Sequence, residues 1–243
     1  MIYELYYWPT IQGRGEFVRL AMEEGGVQYR DVARESGKGA GIAAMLRLLN
    51  TLETPPFAPP FLKAGRLLIG QTANILQFLG PRLGLAPGSK AGRLWTHQLQ
   101  LTIADFLVEI HDTHHPVAGG LYYEDQKTEA RRRAADFLKH RVPKYLGYFE
   151  RVLGQNARGK SYMLGQLTYV DLSIFQIIAG LRYAFPNATL KGARHYPRLY
   201  ALHSSIGERP RIAAYLASPR RIPFNNDGIF RHYPELDAGR HQR

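Results

Sequence analysis

The chain has 243 residues, of which 45% are hydrophobic, so it can bury one large core or two modest ones, and a mostly disordered chain is excluded. It contains no cysteine, which excludes disulfides, thiolate metal sites and a cysteine nucleophile, so any thiol chemistry must use a thiol that the substrate brings. The formal net charge of +12 suits an anionic partner, which is nucleic acid, a membrane surface or an anionic small substrate.

Residues 1–84 alternate between strand and helix patterns. The patterns predict strands at 2–7 and 27–32 and helices at 15–24 and 40–50. Four prolines make residues 54–60 an extended loop, and a turn at Ala64 and Gly65 then separates two further strands. A helix begins near Gln71. This β-α-β-α-β-β-α order predicts an α/β layer sandwich with a right-handed first crossover.

Residues 85–92 are small, contain proline and glycine and lack periodicity, so they predict a linker between two domains. Beyond them the patterns are helical nearly throughout. The predicted helices cover residues 94–111, 129–153, 168–184, 196–206 and 211–217. We expect Pro143 to kink the second of these helices and Pro186 to end the third. The aromatic stretch at residues 224–236 is typical of a tail that folds back over a pocket.

The segment from residue 58 to residue 79 points to a ligand. Pro60 stands at a strand entrance and cannot donate to a ladder, so one edge of the backbone is left free. Gln71 and Thr72 stand at the start of a helix, where a hydroxyl, an amide and free backbone N–H groups together suit a carboxylate. The segment therefore predicts a site for an extended, anionic, peptide-like ligand.

Three segments carry a family resemblance through their order and spacing. They are Y-W-P…G-R-G-E-F-V-R at residues 7–19, P-F-L…G-Q-T-A-N-I-L at 60–76 and M-L-G-Q-L-T-Y-V-D at 163–171. On these residues the chain resembles the soluble, cytosolic-type glutathione S-transferases, and we expect tyrosine-type, bacterial members to be nearest. The resemblance implies an α/β thioredoxin-like glutathione-binding domain at 1–84 and an all-α helical bundle at 93–243 with an irregular tail.

The same resemblance implies an enzyme that conjugates the glutathione thiolate to an apolar electrophile, with reduction of organic peroxides as an open further activity. Glutathione is then a co-substrate, and neither an organic cofactor nor a metal is needed. The implied partners are glutathione, a small hydrophobic electrophile and a second copy of the chain in a cytoplasmic homodimer. Two rival functions stay open, which are a non-catalytic carrier, stress or scaffold protein of the same fold and a basic nucleic-acid-associated module.

The resemblance assigns thiol activation to Tyr7, at the end of the first strand. A free thiol of pKa about 8.5 is largely protonated at neutral pH, and an O–H donor directed at the sulfur favours the thiolate without bringing a counter-charge. Alternation places Tyr6 and Tyr7 on opposite faces of the sheet, so only one of them can serve. The Tyr-Trp-Pro context favours Tyr7 over Tyr6 or Thr10.

Arg14 follows a loop that is one residue longer than in similar tyrosine-type members. It stands at the start of the first helix. Two roles stay open for it, which are a structural ion pair with Glu4 or Glu16 and an approach to the glycine or thiolate of glutathione.

Four further residues match the glutathione-binding positions of the family. Pro60 matches a cis-proline that exposes the preceding backbone to the cysteinyl part of the tripeptide. That preceding residue is Pro59, which has no N–H, so one of two usual main-chain bonds should be missing, at a cost of about 1 kcal/mol. Gln71 and Thr72 match the pair that holds the γ-glutamyl group.

The first long helix supplies the remaining candidates. Asp105 matches an acid that reaches the glutamyl ammonium in the neighbouring subunit, and a solvated helix acid is the alternative. His111 and His115 have the i, i+4 spacing of metal ligands, but no third ligand is fixed by spacing, so we expect no metal. The second-substrate pocket is instead expected to involve Trp8, His111, His114 and Tyr122, with Tyr123 as an alternative to Tyr122.

Other features predict structure or exclude partners. Thr168 and Asp171 form a predicted capping box that carries no chemistry. No apolar run approaches the ~20 residues of a membrane span, and the N-terminus lacks the features of a signal peptide, so we expect neither membrane insertion nor export. The basic residues are scattered and form no stripe with interleaved aromatic residues, which argues against nucleic-acid binding.

Overall fold

The computed structural model describes residues 2–51, 53–156 and 161–237. The first part of the chain forms a four-stranded sheet with the order β2-β1-β3-β4. Its strands are β1 Tyr3–Tyr6, β2 Tyr29–Asp31, β3 Phe61–Ala64 and β4 Leu67–Gly70. β1 is parallel to β2 and antiparallel to β3, and β3 is antiparallel to β4. β1 and β2 are each shorter than predicted.

Helices cover both faces of this sheet. They are α1 Gly15–Gly25, α2 Gly41–Thr51 and α3 Thr72–Arg82. Leu5 and Leu62 of the sheet lie in one buried cluster with Val18 of α1 and Ile75 of α3. Residues of the other face, Tyr6 and Phe61 among them, form a second cluster with Met45 of α2. The predicted β-α-β-α-β-β-α order and layer sandwich are confirmed.

The second part of the chain is helical, as predicted. Its helices are α4 Lys90–Asp112, α5 Lys127–Asp136, α6 Val142–Gln155, α7 Tyr169–Ala184, α8 Pro186–Gly192, α9 Pro197–Gly207 and α10 Pro210–Leu216. α4 begins inside the predicted linker. Some positions of the two predicted domains lie outside the described residues, and these are Met1, Leu52, 157–160 and 238–243. In the described parts of the chain, no helix has the length and apolarity that crossing a bilayer requires.

The helix predicted at residues 129–153 is divided by a π-helical turn, Phe137–Arg141, between α5 and α6. Pro143 stands in the first turn of α6, directly after this π-helical turn. The wider turn therefore lies N-terminal to the proline that was expected to kink the helix. Pro186 likewise begins α8 directly after α7 ends.

α7 lies at the centre of the helical domain, and most of its residues are buried. The predicted capping box begins it. The Asp171 carboxylate accepts bonds from the Thr168 amide at 2.7 Å and the Thr168 hydroxyl at 2.8 Å, and a third from the Met163 amide at 2.8 Å. These bonds satisfy amides that the buried start of a helix would otherwise leave without partners.

The last described residues, 218–237, form a tail that folds back over the junction of the two domains. The Asn225 amide donates to the Thr10 carbonyl at 2.8 Å, and Tyr233 stacks on Tyr123 with a ring separation of 3.7 Å. The Asp237 carboxylate accepts bonds from the first amides of α8 at 2.7 and 2.9 Å. The tail thus folds back on both parts of the chain, and its predicted position over a substrate pocket stays a prediction.

Candidate functional site

Tyr7 lies at the end of β1 and is 4% exposed. Its phenol oxygen accepts a hydrogen bond from the backbone amide of Arg14 at 2.9 Å. The loop before α1 and the first residue of α1 pack tightly on the ring, since a Cβ atom at Gly13 would lie 2.0 Å from the phenol oxygen and one at Gly15 would lie 2.5 Å from the ring. Gly13 also has a positive φ of 43°, so glycine is favoured there on two grounds.

The Tyr7 phenol stays protonated at neutral pH. Burial raises its pKa, and this effect outweighs the Arg14 amide bond and the charges of Arg14 and Arg19, which lower it. Because the oxygen accepts the amide bond, its own O–H remains a donor for another group. The residue can therefore donate a hydrogen bond, and it is a poor general base.

Tyr6 lies on the opposite face of the sheet and is already engaged. Its hydroxyl donates to the Glu4 carboxylate at 2.6 Å, and its ring stacks on Phe61 with a centroid separation of 4.6 Å. Thr10 is exposed in the loop, where its carbonyl accepts a bond from the tail. The geometry therefore favours Tyr7 over both alternatives.

Arg14 makes none of the ion pairs that were considered for it. Glu4 pairs with Lys63 at 3.2 Å, and Glu16 pairs with Arg19 at 3.3 Å and with Arg221. The predicted structural role of Arg14, an ion pair with Glu4 or Glu16, is therefore wrong. Arg14 instead lines a cavity of about 270 Å³ that Gln71 and Thr72 of the predicted glutamyl site also line.

Gln71 and Thr72 lie at the start of α3, as predicted. Gln71 has φ 66°, the only positive φ of a non-glycine residue in the part of the chain that the structure describes. Such a conformation costs on the order of 1–3 kcal/mol and is found most often at ligand sites. The Thr72 hydroxyl donates to the Arg14 carbonyl at 3.4 Å. This contact joins the helix start to the residue that contacts Tyr7.

The peptide bond between Pro59 and Pro60 is cis, which confirms that prediction. Pro60 is buried directly before β3, and Pro59 is half-buried. β3 pairs with β1 so that Phe61 lies opposite Tyr6, one residue from Tyr7. Since Pro59 has no N–H, its carbonyl is the one main-chain hydrogen-bonding group that this residue can offer to a ligand.

Three histidine rings cluster at the end of α4. The ring centroids of His111, His114 and His115 lie 4.8 to 5.1 Å from one another. His114 is 1% exposed, and its Nε2–H donates to the Ile229 carbonyl of the tail at 2.9 Å. The predicted contact of His114 with a second substrate is therefore corrected, because the tail covers this ring and His114 serves as its anchor.

The three imidazoles are neutral at pH 7. Burial is the main cause for each, and it lowers the pKa of His111 to about 4 and that of His114 to about 3. The pKa of His115 is also lowered. Within the described ranges, no group of three or more His, Cys, Asp and Glu side chains could hold a metal ion.

The other predicted pocket residues lie in the open. Trp8 is partly exposed, and the Tyr122 ring is 76% exposed. Tyr123, the alternative to Tyr122, is buried against the tail, where its hydroxyl donates to Glu235 at 2.9 Å. Asp105 is exposed on the outer face of α4, and its predicted role in a neighbouring subunit stays a prediction.

Sequence reasoning missed a buried polar network that fixes the tail beside Tyr7. The Gln176 side-chain amide of α7 donates to the side-chain carbonyl of Gln12 at 2.7 Å. The side-chain NH2 of Gln12 in turn donates to the backbone carbonyl of Ile222. Arg221 pairs with buried Glu16 and donates to Gln176 at 3.0 Å. No spacing in the sequence links these residues, since Gln12 and Gln176 are 164 positions apart.

A family model described as "Glutathione S-transferase, C-terminal domain" matches residues 111–219. The chain is 24% identical over 219 residues to a glutathione S-transferase of Plasmodium falciparum, covering 88% of this chain and 94% of that protein. It is 26% identical over 234 residues to glutathione S-transferase P of Bos taurus, covering 93% and 98%. These relatives are eukaryotic, so they give no support to the expectation of bacterial ones.

A solved structure is also similar. The Pi-class glutathione S-transferase of Onchocerca volvulus superposes with a TM-score of 0.68 at 20% identity, covering 89% of this chain and 92% of that chain. This likeness supports the fold that the motifs predicted, with a thioredoxin-like domain followed by a helical bundle.

Proposed function

We propose that the chain is a glutathione S-transferase of the tyrosine type, which conjugates the thiolate of glutathione to an electrophilic carbon. The proposal rests on one observation. The buried Tyr7 phenol accepts a hydrogen bond from the Arg14 amide and keeps its own proton. Such a phenol can donate a hydrogen bond to a sulfur placed beside it. Cytoplasmic action rests on the resemblance alone.

Tyr7 acts by stabilising the ionised sulfur. A hydrogen bond from the phenol lowers the thiol pKa from its ordinary value of about 8.5, so more of the bound glutathione is thiolate at neutral pH. The thiol proton leaves to solvent. The sulfur then attacks the electrophilic carbon, a C–S bond forms, and any leaving group departs with its electron pair. The remaining contribution is the juxtaposition of two substrates.

The start of α3 holds the glutamyl end of glutathione in this proposal. Thr72 offers a helix N-terminal amide to the α-carboxylate, and its hydroxyl would turn from the Arg14 carbonyl to donate to the same group. Gln71 orients the glutamyl group. The Pro59 carbonyl accepts the one main-chain bond that this dipeptide allows. Arg14 lines the same cavity and adds a positive charge near the tripeptide.

The proposed homodimer uses the outer face of α4 and the loop before the cis-proline. Leu101 and Val108 are exposed on α4 on either side of Asp105, and Phe57 is 96% exposed in the loop. Exposed large apolar side chains of this kind would be covered in a dimer interface. A second copy would cover them and bring Asp105 towards the partner's glutamyl site.

Calorimetric titration with glutathione, paired with a conjugation assay on a chloronitroaromatic electrophile, tests the proposal. We expect saturable binding and turnover above the uncatalysed rate. Binding without turnover would support the rival carrier function, and the absence of binding at millimolar glutathione would contradict the proposal. Salt-dependent retention on RNA, compared with a charge-matched control protein, would support the nucleic-acid module instead.

A further inference from the structure

The cavity beside Arg14 is lined by both domains of the chain. It lies between the start of α3, at Thr72, and the middle of α4. On the α4 side its wall consists of His97, Gln100 and apolar residues. A ligand held at the start of α3 therefore faces side chains of the helical domain of the same chain.

The α3 side of this cavity offers backbone amides that have no partner. The first amides of a helix cannot bond within it, and those of Thr72, Ala73 and Asn74 donate to no described residue. Gln71, the residue before the helix, makes no side-chain capping bond. Since Ala73 and Asn74 line the cavity, this uncapped helix start favours an anion there.

The α4 side offers one further donor, on a side chain that is otherwise enclosed. Gln100 is 1% exposed, and its side-chain carbonyl accepts a hydrogen bond from the Ser173 hydroxyl of α7 at 2.8 Å. Its side-chain NH2 donates to no described residue, and protein atoms do not fully enclose that NH2. The NH2 therefore opens to the cavity that Gln100 lines.

The bond from Ser173 orients Gln100 before any ligand binds. Ser173 is 0% exposed on the central helix of the domain, so it fixes the carbonyl end of the amide. An amide that only joined α4 to α7 would leave its NH2 without a partner, and buried polar groups are rarely left unpaired in folded proteins. A ligand that accepts a hydrogen bond would complete the pairing of this amide.

The charges around the cavity also favour an anionic acceptor. Among the described residues that line it, only Arg14 is charged, and Arg14 pairs with no described carboxylate. Burial lowers the pKa of His97, so this ring is neutral at pH 7. Two acids stand near lining residues in the sequence, but Asp105 is exposed on α4 and the Glu16 carboxylate is already paired.

We infer that Gln100 donates a hydrogen bond to the α-carboxylate of the γ-glutamyl group, so that both domains of one chain bind the same carboxylate. The inference rests on the proposed function and adds a substrate-binding residue to it. Thr72 and the amides of α3 contact the carboxylate from one side, and Gln100 contacts it from the other. A charged acceptor makes this hydrogen bond stronger than one between neutral groups.

A thiol that lacks only this carboxylate provides the test. γ-Aminobutyryl-cysteinyl-glycine is glutathione without the glutamyl α-carboxylate, and it keeps the ammonium group and the cysteine sulfur. Each thiol is conjugated to the same chloronitroaromatic electrophile, where a C–S bond forms and chloride leaves with the bonding electrons. Dividing each kcat/KM for the thiol by its uncatalysed rate constant removes any difference in intrinsic reactivity.

Gln100→Leu should lower kcat/KM for glutathione about tenfold or more, because a hydrogen bond to a charged group is lost. The loss should lie in KM for glutathione, with kcat nearly unchanged, since the carboxylate is remote from the reacting sulfur. The value for the aminobutyryl thiol should change less than about twofold. Turnover of that thiol also reports that the variant is folded.

Gln100→Glu is the second variant, and it alone decides the matter if the leucine variant does not fold. One oxygen of the glutamate can still accept the Ser173 hydroxyl, while the other faces the ligand carboxylate and repels it. We expect this variant to lower kcat/KM for glutathione more than Gln100→Leu does and to spare the aminobutyryl thiol.

Gln98→Leu and Gln98→Glu are the matched controls, because Gln98 is exposed on the same helix. Neither should change the ratio of the two kcat/KM values. A wild-type ratio in the Gln100 variants, or an equal loss for both thiols, would overturn the inference alone. Failure of the wild-type protein to conjugate glutathione above the uncatalysed rate would overturn the proposed function and the inference with it.

Discussion

The backbone amide of Arg14 donates a 2.9 Å hydrogen bond to the phenol oxygen of Tyr7. This bond orients the phenol and leaves its proton for a second partner. It also ties the proposed thiol-activating residue to the segment whose Gly13 and Gly15 pack on its ring. Arg14 in turn accepts a bond from Thr72, so the predicted thiol site and the predicted glutamyl site share one backbone segment.

Replacing Tyr7 with Phe should lower kcat/KM for conjugation at least about tenfold, because the sulfur loses its hydrogen-bond donor. Steady-state kinetics at neutral pH measure the change. Tyr6→Phe is the matched control, since Tyr6 donates to Glu4 on the other face of the sheet and should retain activity. Equal losses in the two variants would indicate a structural effect on β1.

Replacing Thr72 with Ala should raise KM for glutathione about fivefold to fiftyfold while kcat changes little, because the hydroxyl binds a group remote from the reacting sulfur. Thr72→Ser keeps the hydroxyl and should restore most of the affinity. Calorimetry with glutathione gives the affinity independently of turnover. A variant that lost kcat alone would contradict the assigned role.

The ion pair between Glu109 and Arg141 should make the free energy of unfolding depend on pH. Arg141 donates to Glu109 at 2.6 and 2.7 Å, and these bonds are the main cause of a Glu109 pKa below its ordinary value of 4.5. Because the folded-state pKa is the lower one, the stabilisation is present above pH 4.5 and is lost as the pH falls through the lowered pKa. Glu109→Gln should therefore cost about 1–3 kcal/mol of unfolding free energy at neutral pH and less in acid.

Urea unfolding of wild type and variant across this pH range provides the measurement. Asp136→Asn is the control, since Asp136 is an exposed acid that lies 3.7 Å from Arg133, and removing its charge should change stability by less than about 0.5 kcal/mol. A Glu109→Gln effect that stayed constant with pH would mean that shape rather than charge holds α4 to the π-helical turn.

The proposed homodimer interface predicts how one substitution changes the dimer dissociation constant. Phe57→Ser should weaken the dimer about tenfold or more, because burying a phenylalanine side chain contributes about 1.5–3 kcal/mol. Sedimentation over a range of protein concentrations measures the dimer dissociation constant. Leu190→Ser removes a comparably exposed apolar side chain from α8 and should leave that constant unchanged. A dimer equally stable in both variants would place the interface elsewhere.

Local patterns were enough to predict most of the fold. Alternation along β1 separated Tyr6 from Tyr7, and the proline-rich loop located the strand that begins after Pro60. The spacing of Thr168 and Asp171 predicted the capping box of α7. Each of these features is set by residues within a few positions of one another, so a single sequence contains the information.

The parts that sequence reasoning missed depend on distant contacts. Gln12 and Gln176 are 164 residues apart, and the link from His114 to Ile229 spans 115 residues. No periodicity or spacing encodes such pairs. His114 was therefore predicted to contact the second substrate, because the sequence does not show that the tail covers its ring.

Titration of the thiolate absorbance of the glutathione-saturated protein measures whether Tyr7 keeps the bound sulfur ionised. We expect a thiol pKa at least about one unit below the ordinary value of about 8.5 in the wild-type and Tyr6→Phe proteins, returning towards that value in Tyr7→Phe. A bound thiol with the same pKa in the wild type and Tyr7→Phe proteins would contradict this role of Tyr7.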